Sequence, residues 1–159
     1  MRILFFGTAD ISVVFLKCLF ERGFDILALT QIDKPAKRGS KVLHTPVKSF
    51  CLQNNIEFAS VEKWDEHIKQ KVFDWGADAG LAVSFGKIIP DYIFQAPHFK
   101  TLNIHFSLLP KYRGAAPVQY ALLNGDRLTG VTSFFIEKTL DTGKILLQKS
   151  LEILPCDDA

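Results

Sequence analysis

Residues 1–30, MRILFFGTADISVVFLKCLFERGFDILALT, contain the pattern that decides the fold class. Residues 2–6 form a mainly apolar run typical of a buried strand. The period of residues 11–21 predicts a helix that follows a cap at Asp10 and stops at Gly23. A second apolar run covers residues 25–30. A strand, a helix and a second strand in this order predict a βαβ unit with parallel strands.

The same alternation continues along the chain. After Thr45-Pro46, a cap and a first-turn proline, we expect a helix through residue 54. Further strands are expected at residues 57–59, 79–84, 102–106, 131–137 and 144–153, and further helices at residues 62–73, 91–95 and 117–123. We therefore predict an α/β fold with a doubly wound, mainly parallel sheet and antiparallel edge strands, formed by one domain over residues 1–159.

The composition suits a chain that folds around an apolar core. Its 159 residues are 48% hydrophobic, which is enough for one domain. The apolar runs are shorter than the roughly 20 residues of a transmembrane helix, and the polar turn after residue 6 does not match a signal peptide. Three widely spaced cysteines argue against a disulfide framework, and the separation of the four histidines argues against a protein-borne metal.

Five basic residues and no acidic residue lie between positions 34 and 48, although the net charge of the whole chain is only +2. The stretch QIDKPAKRGSKVLH, residues 31–44, lacks a helical or strand period, so we predict a long loop. Such a loop is either a solvated run of charge or a contact for a phosphate backbone. It contains no aromatic side chain for base stacking, which favours backbone contact over base recognition.

The stretch TLNIHFSLLPKYRGAAP, residues 101–117, carries the candidate chemistry. Alternation in the predicted strand places Asn103 and His105 on one face, either as part of a solvated surface or as functional groups beside the loop that follows. Asn103 is an amide donor for a developing oxyanion, and His105 can exchange a proton near neutral pH. The two suit attack on a carbonyl. Since Ser107 lacks the nucleophile elbow of hydrolases, we expect the attacking group to belong to a substrate.

Two polar turns are further candidates. Asp141, in TLDTGKILL, is an ordinary turn aspartate, one half of an aspartic-protease dyad, or a carboxylate that orients His105. A single DTG in an α/β chain argues against the protease. The turn GTAD, residues 7–10, is a tight turn or a weak anion site, and it lacks the glycine spacing of a dinucleotide site.

Several of these stretches resemble a known family. NIHFSLLPKYRGAAPVQYALLNGDRLTGVT and LDTGKILL, together with MRILFFGTAD, TQIDKPAKRGSK and VSFGKIIP, resemble the methionyl-tRNA formyltransferase family of the folate-dependent formyltransferase superfamily. The resemblance implies a Rossmann-like catalytic domain that transfers the formyl group of 10-formyltetrahydrofolate to the amino group of methionyl-initiator tRNA. It further implies a role in translation initiation in the bacterial cytoplasm or an organellar matrix, with no metal, no membrane and no obligatory protein partner. The family also has a C-terminal β-barrel domain that helps to hold tRNA, which residues 1–159 do not include.

The resemblance also implies site residues. The catalytic trio would be Asn103, His105 and Asp141. The folate would be contacted by Phe85, Gly86, Lys87, Ile88, Ile89, Ser107, Leu108, Leu109, Pro110, Thr139, Leu140, Thr142 and Gly143. The tRNA would be contacted by Lys34, Lys37, Arg38 and Lys41. Three alternatives stay open: formylation of a small amine, hydrolysis of formyl-folate, and tRNA binding without turnover.

Overall fold

The computed structural model describes residues 1–35 and 42–159, and of residues 34, 35 and 42 the backbone alone. These residues divide into two compact units, residues 1–101 and residues 102–159. The first unit contains the parallel strands that the sequence pattern predicts and one short antiparallel ladder, and the second unit contains a larger antiparallel sheet. Among the described residues, no helix has the length and apolar character needed to cross a membrane.

The first unit alternates strands and helices. Its elements are β1 (Arg2–Gly7), α1 (Asp10–Glu21), β2 (Asp25–Gln31), β3 (Lys34–Pro35), β4 (Val42–Leu43), α2 (Pro46–Asn54), β5 (Glu57–Val61), α3 (Glu66–Trp75), β6 (Ala79–Val83) and α4 (Asp91–Phe94). Four strands form a parallel sheet in the order β5-β2-β1-β6, with Phe5 of β1 opposite Ala28 on one side and Leu81 on the other. The two-residue strands β3 and β4 pair separately as an antiparallel ladder.

The core of the first unit lies along β1, because a central parallel strand is covered on both faces. Leu4, Phe5 and Phe6 are fully buried, and burying each such side chain stabilises the fold by about 1.5–3 kcal/mol. Helix α1 buries Ser12 and Leu16, and this spacing of four residues is that of one helix face. Helix α3 does the same with Ile68 and Val72. The periodicity that predicts these helices is therefore the periodicity of their buried stripes.

The carboxyl ends of the parallel strands meet in one hydrogen-bonded cluster. The carbonyl oxygen of Phe85, just after β6, accepts hydrogen bonds from Thr8 Oγ1, after β1, and from Gln31 Nε2, at the end of β2, both at 2.8 Å. This edge is where open α/β sheets place their ligands. The turn after β1 is also held internally, since Ser12 Oγ accepts from the Thr8 amide at 3.2 Å and donates to the Val83 carbonyl at 2.7 Å.

The second unit is an antiparallel sheet with one short helix. Its elements are β7 (Thr101–His105, whose first residue closes the first unit), α5 (Pro117–Leu123), β8 (Leu128–Phe135) and β9 (Ile145–Glu152). Strand β8 lies between β7 and β9, and the register sets His105 opposite Thr132 and Thr132 opposite Gln148. Every residue of β9 is exposed. The parallel strands and the antiparallel ones together confirm the predicted α/β, Rossmann-like fold class.

Most predicted elements are confirmed, with corrections at helix starts and at the basic loop. Thr45 caps α2 as predicted, its hydroxyl accepting from the Lys48 amide at 3.1 Å. The predicted cap at Asp10 is wrong, because Ala9 is the N-cap and makes no side-chain bond. The helix expected from residue 62 begins only at Glu66, since Asp65 caps it. Strands β3 and β4 were not predicted, because two residues are too few to show a period.

Candidate active site

A histidine and an aspartate form the most buried ion pair of the described residues. His105 Nδ1 and Asp141 Oδ2 lie 3.7 Å apart, and their side chains are 7% and 8% exposed. His105 is the last residue of β7, and Asp141 lies in the turn between β8 and β9. The distance is longer than a hydrogen bond but within ion-pair reach. The structure thus brings together the imidazole and the carboxylate that the sequence singled out.

The other ring nitrogen of His105 is held by the backbone of the following loop. His105 Nε2 donates to the carbonyl oxygen of Tyr112 at 2.8 Å. Because a carbonyl only accepts, Nε2 carries a proton. The Asp141 carboxylate opposite Nδ1 offers an acceptor for a second N–H, which only the imidazolium form has. The Tyr112 carbonyl therefore fixes the orientation of the ring, with Nδ1 facing the Asp141 carboxylate.

Asp141 is anchored by the next two residues of the same loop. Its Oδ2 accepts from the Gly114 amide at 2.7 Å, and its own carbonyl accepts from Arg113 Nε at 3.1 Å. Asp141 has a positive φ of 51°, a conformation that costs a non-glycine residue about 1–3 kcal/mol. The two hydrogen bonds hold it there. Its second carboxylate oxygen, Oδ1, makes no hydrogen bond to a residue that the structure describes.

Asn103 lies two residues before His105 on the same face of β7. It is half-buried and stands opposite Phe134 in the ladder. Its side-chain amide makes no hydrogen bond within the described part of the chain. An amide without a protein partner on a partly open face keeps its donor available for another molecule.

The loop after β7 is braced by two strand residues that the sequence analysis did not identify. Thr132 Oγ1 donates to the Ser107 carbonyl at 2.7 Å and accepts from the Leu109 amide at 3.2 Å. Gln148 Nε2 donates to the Leu109 carbonyl at 2.8 Å and to Thr132 Oγ1 at 3.0 Å. Ser107 is fully buried and its hydroxyl donates to the Lys111 carbonyl at 2.6 Å. This hydroxyl is committed to the loop, in agreement with the expectation that Ser107 is not a nucleophile.

The turn that carries Asp141 is closed by its neighbours. Thr142 Oγ1 donates to the Thr139 carbonyl at 3.1 Å, and Leu140 is largely exposed. A side chain added at Gly143 would overlap the carbonyl oxygen of Phe135. The turn therefore needs glycine at this position to pack on the end of β8.

The comparisons with known proteins assign the chain to a family. The model of the family described as formyl transferase matches residues 1–159, the whole chain. The chain belongs to the formyl transferase family. It is 50% identical over 159 residues to methionyl-tRNA formyltransferase of Endomicrobium trichonymphae, covering 100% of this chain and 51% of the relative. The chain thus spans about half the length of the curated relatives it matches.

Solved structures agree with the fold of this chain. Phosphoribosylglycinamide formyltransferase from Bacillus halodurans has a TM-score of 0.80 at 19% identity, covering 99% of this chain and 83% of that one. WlaRD, a sugar 3N-formyl transferase solved in the presence of dTDP and 5-N-formyl-THF, has a TM-score of 0.68 at 26% identity, covering 96% of this chain and 52% of that one. The Rossmann-like fold predicted from the sequence is that of solved formyl transferases.

Residues 85–89, which are predicted to contact the folate, are held by contacts to other residues of the first unit. Phe85 is buried and packs edge-to-face on Phe6, with ring centroids 5.7 Å apart. Lys87 Nζ donates to the Glu62 carbonyl at 2.6 Å. Ile88 is 87% exposed, while its carbonyl accepts from Trp64 Nε1 at 2.9 Å. The segment therefore presents an apolar side chain to solvent on a backbone that is fixed from the other side.

Most of the predicted tRNA contacts lie outside the described residues. The backbone of Lys34 pairs in β3, whereas Lys37, Arg38 and Lys41 lie outside the described residues. The base of this loop is held by Asp33, which accepts from His44 Nδ1 at 2.9 Å and from the Thr45 amide at 3.3 Å. Lys48 Nζ completes the cluster.

Histidine, cysteine, aspartate and glutamate side chains are the potential metal ligands of the described residues. Among them, no group of three or more His, Cys, Asp or Glu side chains is arranged to hold a metal ion. Cys51 is fully buried, and this burial raises the pKa of its thiol to about 12, so it is not a nucleophile near neutral pH. What the site offers is an amide donor, an imidazole with one hydrogen bond to the backbone, and a carboxylate with one oxygen that no described residue hydrogen-bonds.

Proposed function

We propose that residues 1–159 act as one catalytic domain of a methionyl-tRNA formyltransferase. The reaction is transfer of the formyl group of 10-formyltetrahydrofolate to the amino group of methionyl-initiator tRNA. The observation that carries the proposal is the buried pair of His105 and Asp141, 3.7 Å apart, beside the uncommitted amide of Asn103. Family membership and the 50% identity to the Endomicrobium trichonymphae enzyme support it.

The first step is attack of the methionyl amine on the formyl carbon. A bond forms between the amine nitrogen and this carbon, and the carbonyl electron pair moves to the oxygen. Asn103 Nδ2 donates a hydrogen bond to this oxyanion, because it is a polar donor of the site that no described protein group occupies. The charge of His105 adds to this stabilisation. Its Nδ1 N–H is available to donate to the oxyanion, because Nδ1 lies farther from Asp141 Oδ2 than a hydrogen bond allows.

The second step is collapse of the tetrahedral intermediate. The bond between the formyl carbon and N10 of the folate breaks, N10 gains one proton and the amine nitrogen loses one. Asp141 Oδ1 accepts the proton from the amine, directly or through a water, because Oδ2 is occupied by the Gly114 amide. The proton then passes to N10, so that the carboxylate returns to its starting state.

Each substrate has its own proposed contacts. The folate contacts the apolar surface around Ile88 and the segment after β7, including Leu108 and Pro110, as well as the turn 139–143. The proposed contacts to the phosphates of the tRNA come from four basic residues of the loop, Lys34, Lys37, Arg38 and Lys41. We infer that the protein acts in translation initiation in the bacterial cytoplasm or an organellar matrix, as the bacterial source of the matched relative suggests.

The test is a panel of formyl acceptors with wild type and Asn103→Ala. Methionyl-tRNA is offered against free methionine and an amino sugar, with 10-formyltetrahydrofolate as the donor and the protein at its natural full length. Wild type should formylate methionyl-tRNA alone, and Asn103→Ala should lose about 10²–10³ in kcat, as expected for one oxyanion donor. Asn54→Ala, which removes a hydrogen bond to the Phe50 carbonyl in α2, is the matched control.

The outcomes separate the alternatives. Turnover of an amino sugar without turnover of methionyl-tRNA would establish a small-amine formyltransferase, and release of formate without an acceptor would establish a hydrolase. Affinity for methionyl-tRNA that falls with salt, without formyl transfer, would leave a binding domain. Full activity of a folded Asn103→Ala variant would remove Asn103 from the mechanism.

A further inference from the structure

The hydroxyl of Tyr112 lies at the centre of a hydrogen-bonded cluster that the mechanism above does not use. It donates to Asp126 Oδ2 at 2.9 Å and accepts from Asn124 Nδ2 at 2.9 Å. Its ring stacks on Tyr120, with centroids 6.4 Å apart and planes 11° apart. Lys111 Nζ lies 3.3 Å from the same carboxylate oxygen of Asp126. Four side chains thus fix the tyrosine ring from several directions.

The backbone of the same tyrosine holds the catalytic histidine. Its carbonyl oxygen accepts the hydrogen bond from His105 Nε2 at 2.8 Å. Tyr112 has a positive φ of 55°, a conformation that is costly for a side chain of this size. The preceding carbonyl, of Lys111, accepts from Ser107 Oγ. An unfavourable conformation persists only where neighbouring contacts hold it, and the side chain of Tyr112 supplies two hydrogen bonds and a stacking contact.

Asp126 is built to remain an acceptor. The hydrogen bond from the Tyr112 hydroxyl holds the pKa of its carboxyl below the usual range; partial burial opposes this effect and Lys111 adds to it. Asp126 lies just beyond the C-cap of α5, Asn124, and its amide donates to the Ala121 carbonyl of that helix at 3.0 Å. The cluster therefore connects the end of a helix, through one phenol, to the carbonyl that orients His105.

We propose that Tyr112, held by Asp126, is a positioning residue that sets the orientation of the His105 imidazole. This inference rests on the proposed function for its kinetic consequence, but its structural content is independent of it. Without the bond between the phenol and Asp126, the residue relaxes toward negative φ. Its carbonyl then leaves Nε2, and the ring turns away from Asp141. Misplacement of this kind lowers turnover without changing how tightly either substrate binds.

The kinetic test uses variants that each remove one polar side-chain group of the cluster. Tyr112→Phe keeps the ring and its stacking and removes only the bonds of the hydroxyl, and Asp126→Ala removes the acceptor. We expect each to lower kcat about fivefold to tenfold with KM for the folate within about twofold. Tyr120→Phe is the matched control, because its hydroxyl makes no hydrogen bond to a described residue. Asn124→Ala, at an exposed position, tests the same hydroxyl with a milder change and should lower kcat about twofold to threefold.

The spectroscopic test needs no substrate. In long-range proton–nitrogen NMR spectra of histidine-labelled protein, His105 should show a protonated Nε2 with slow solvent exchange. Tyr112→Phe and Asp126→Ala should speed this exchange at least fivefold, and Tyr120→Phe should not change it. If the wild type shows no formyl transfer while the His105 signal responds as stated, the proposed function fails and the positioning role stands.

The opposite result would overturn the inference alone. Folded Tyr112→Phe and Asp126→Ala proteins with wild-type kcat and an unchanged His105 signal would show that the phenol does not position the imidazole. If Tyr112→Phe failed to fold, Asn124→Ala would decide the matter, and an unchanged His105 signal in that variant would equally reject the proposal.

Discussion

Two histidine–aspartate pairs of this molecule differ in a way that distance alone does not reveal. His44 and Asp33 lie 2.9 Å apart, closer than the 3.7 Å of His105 and Asp141. Yet His44 is 45% exposed, and both carboxylate oxygens of Asp33 are occupied. In the buried pair, Asp141 Oδ1 accepts no hydrogen bond from a described residue, and His105 Nδ1 is not within hydrogen-bond distance of Oδ2. The closer pair is committed to a cluster with the Thr45 amide and Lys48, whereas the looser pair leaves the oxygen that the proposed proton transfer requires.

The difference between the two pairs is tested most strongly by removing the carboxylate charge from each. Asn is nearly isosteric with Asp and still accepts the Gly114 amide, so Asp141→Asn removes little beyond the charge. We expect it to lower kcat of formyl transfer by at least about 10², whereas Asp33→Asn should stay within about threefold. Steady-state rates with methionyl-tRNA measure both variants. An equal loss of kcat in the two would show that the pairs do not differ in function.

The turn that carries Asp141 gives the largest expected effect on stability. Gly143→Ala should lower the free energy of unfolding by about 2–3 kcal/mol, because the added carbon meets the carbonyl of Phe135. Activity should fall as well, since the turn moves with Asp141. Gly23→Ala is the control: its φ is +72° but nothing lies within 4 Å, so only the conformational cost of about 1 kcal/mol applies. Urea unfolding measures both, and equal losses would contradict the close packing at Gly143.

The hydrogen bonds of Thr132 to the loop after β7 are tested by comparing two threonines of β8. Thr132 Oγ1 makes three hydrogen bonds, whereas Thr129 Oγ1 is buried with no partner among the described residues. Thr132→Val should therefore cost about 1–2 kcal/mol of stability, and Thr129→Val about zero or slightly less than zero. Thermal unfolding separates the two. A larger loss for Thr129→Val than for Thr132→Val would show that these hydrogen bonds do not stabilise the loop.

The smallest expected effect is the pH dependence that Asp33 contributes. Burial raises the pKa of this carboxyl, but the hydrogen bonds from Lys48 and His44 outweigh it and hold the pKa below its usual value. A lowered pKa in the folded state stabilises the fold above the unfolded value of about 3.9, and this contribution disappears as the pH falls through the folded value. The stability difference between wild type and Asp33→Asn should therefore shrink from pH 6 to pH 3, which chemical unfolding at the two pH values measures. A difference that grows toward low pH would contradict the sign.

The elements with strong patterns could be predicted from the sequence. Apolar runs predicted the parallel strands, and Thr45-Pro46 predicted the start of α2 because cap and proline act locally. The predicted start of α1 was wrong, because Asp10 lies inside the helix, whose first turn is tied by the Ser12 hydroxyl to the Thr8 amide and the Val83 carbonyl. Helix starts depend on such tertiary contacts, which one stretch of sequence does not contain.

The site could be predicted only as far as its side chains. Alternation places Asn103 and His105 on one face of β7, and the stretch TLDTGKILL identifies the turn around Asp141. The groups that hold them, the carbonyl of Tyr112 and the amide of Gly114, belong to the backbone and have no signature in the sequence. The positive φ of Tyr112 and Asp141 is equally hidden, because it arises from long-range contacts at residues that usually avoid it.

The most direct measurement is the single-turnover rate of formyl transfer to methionyl-tRNA by wild type, His105→Ala and His44→Ala. The account predicts that His105→Ala loses at least about 10² in this rate while His44→Ala stays within about threefold. His67→Ala, at an exposed position of α3, serves as a further control. A folded His105→Ala protein that transfers the formyl group at the wild-type rate would contradict the account.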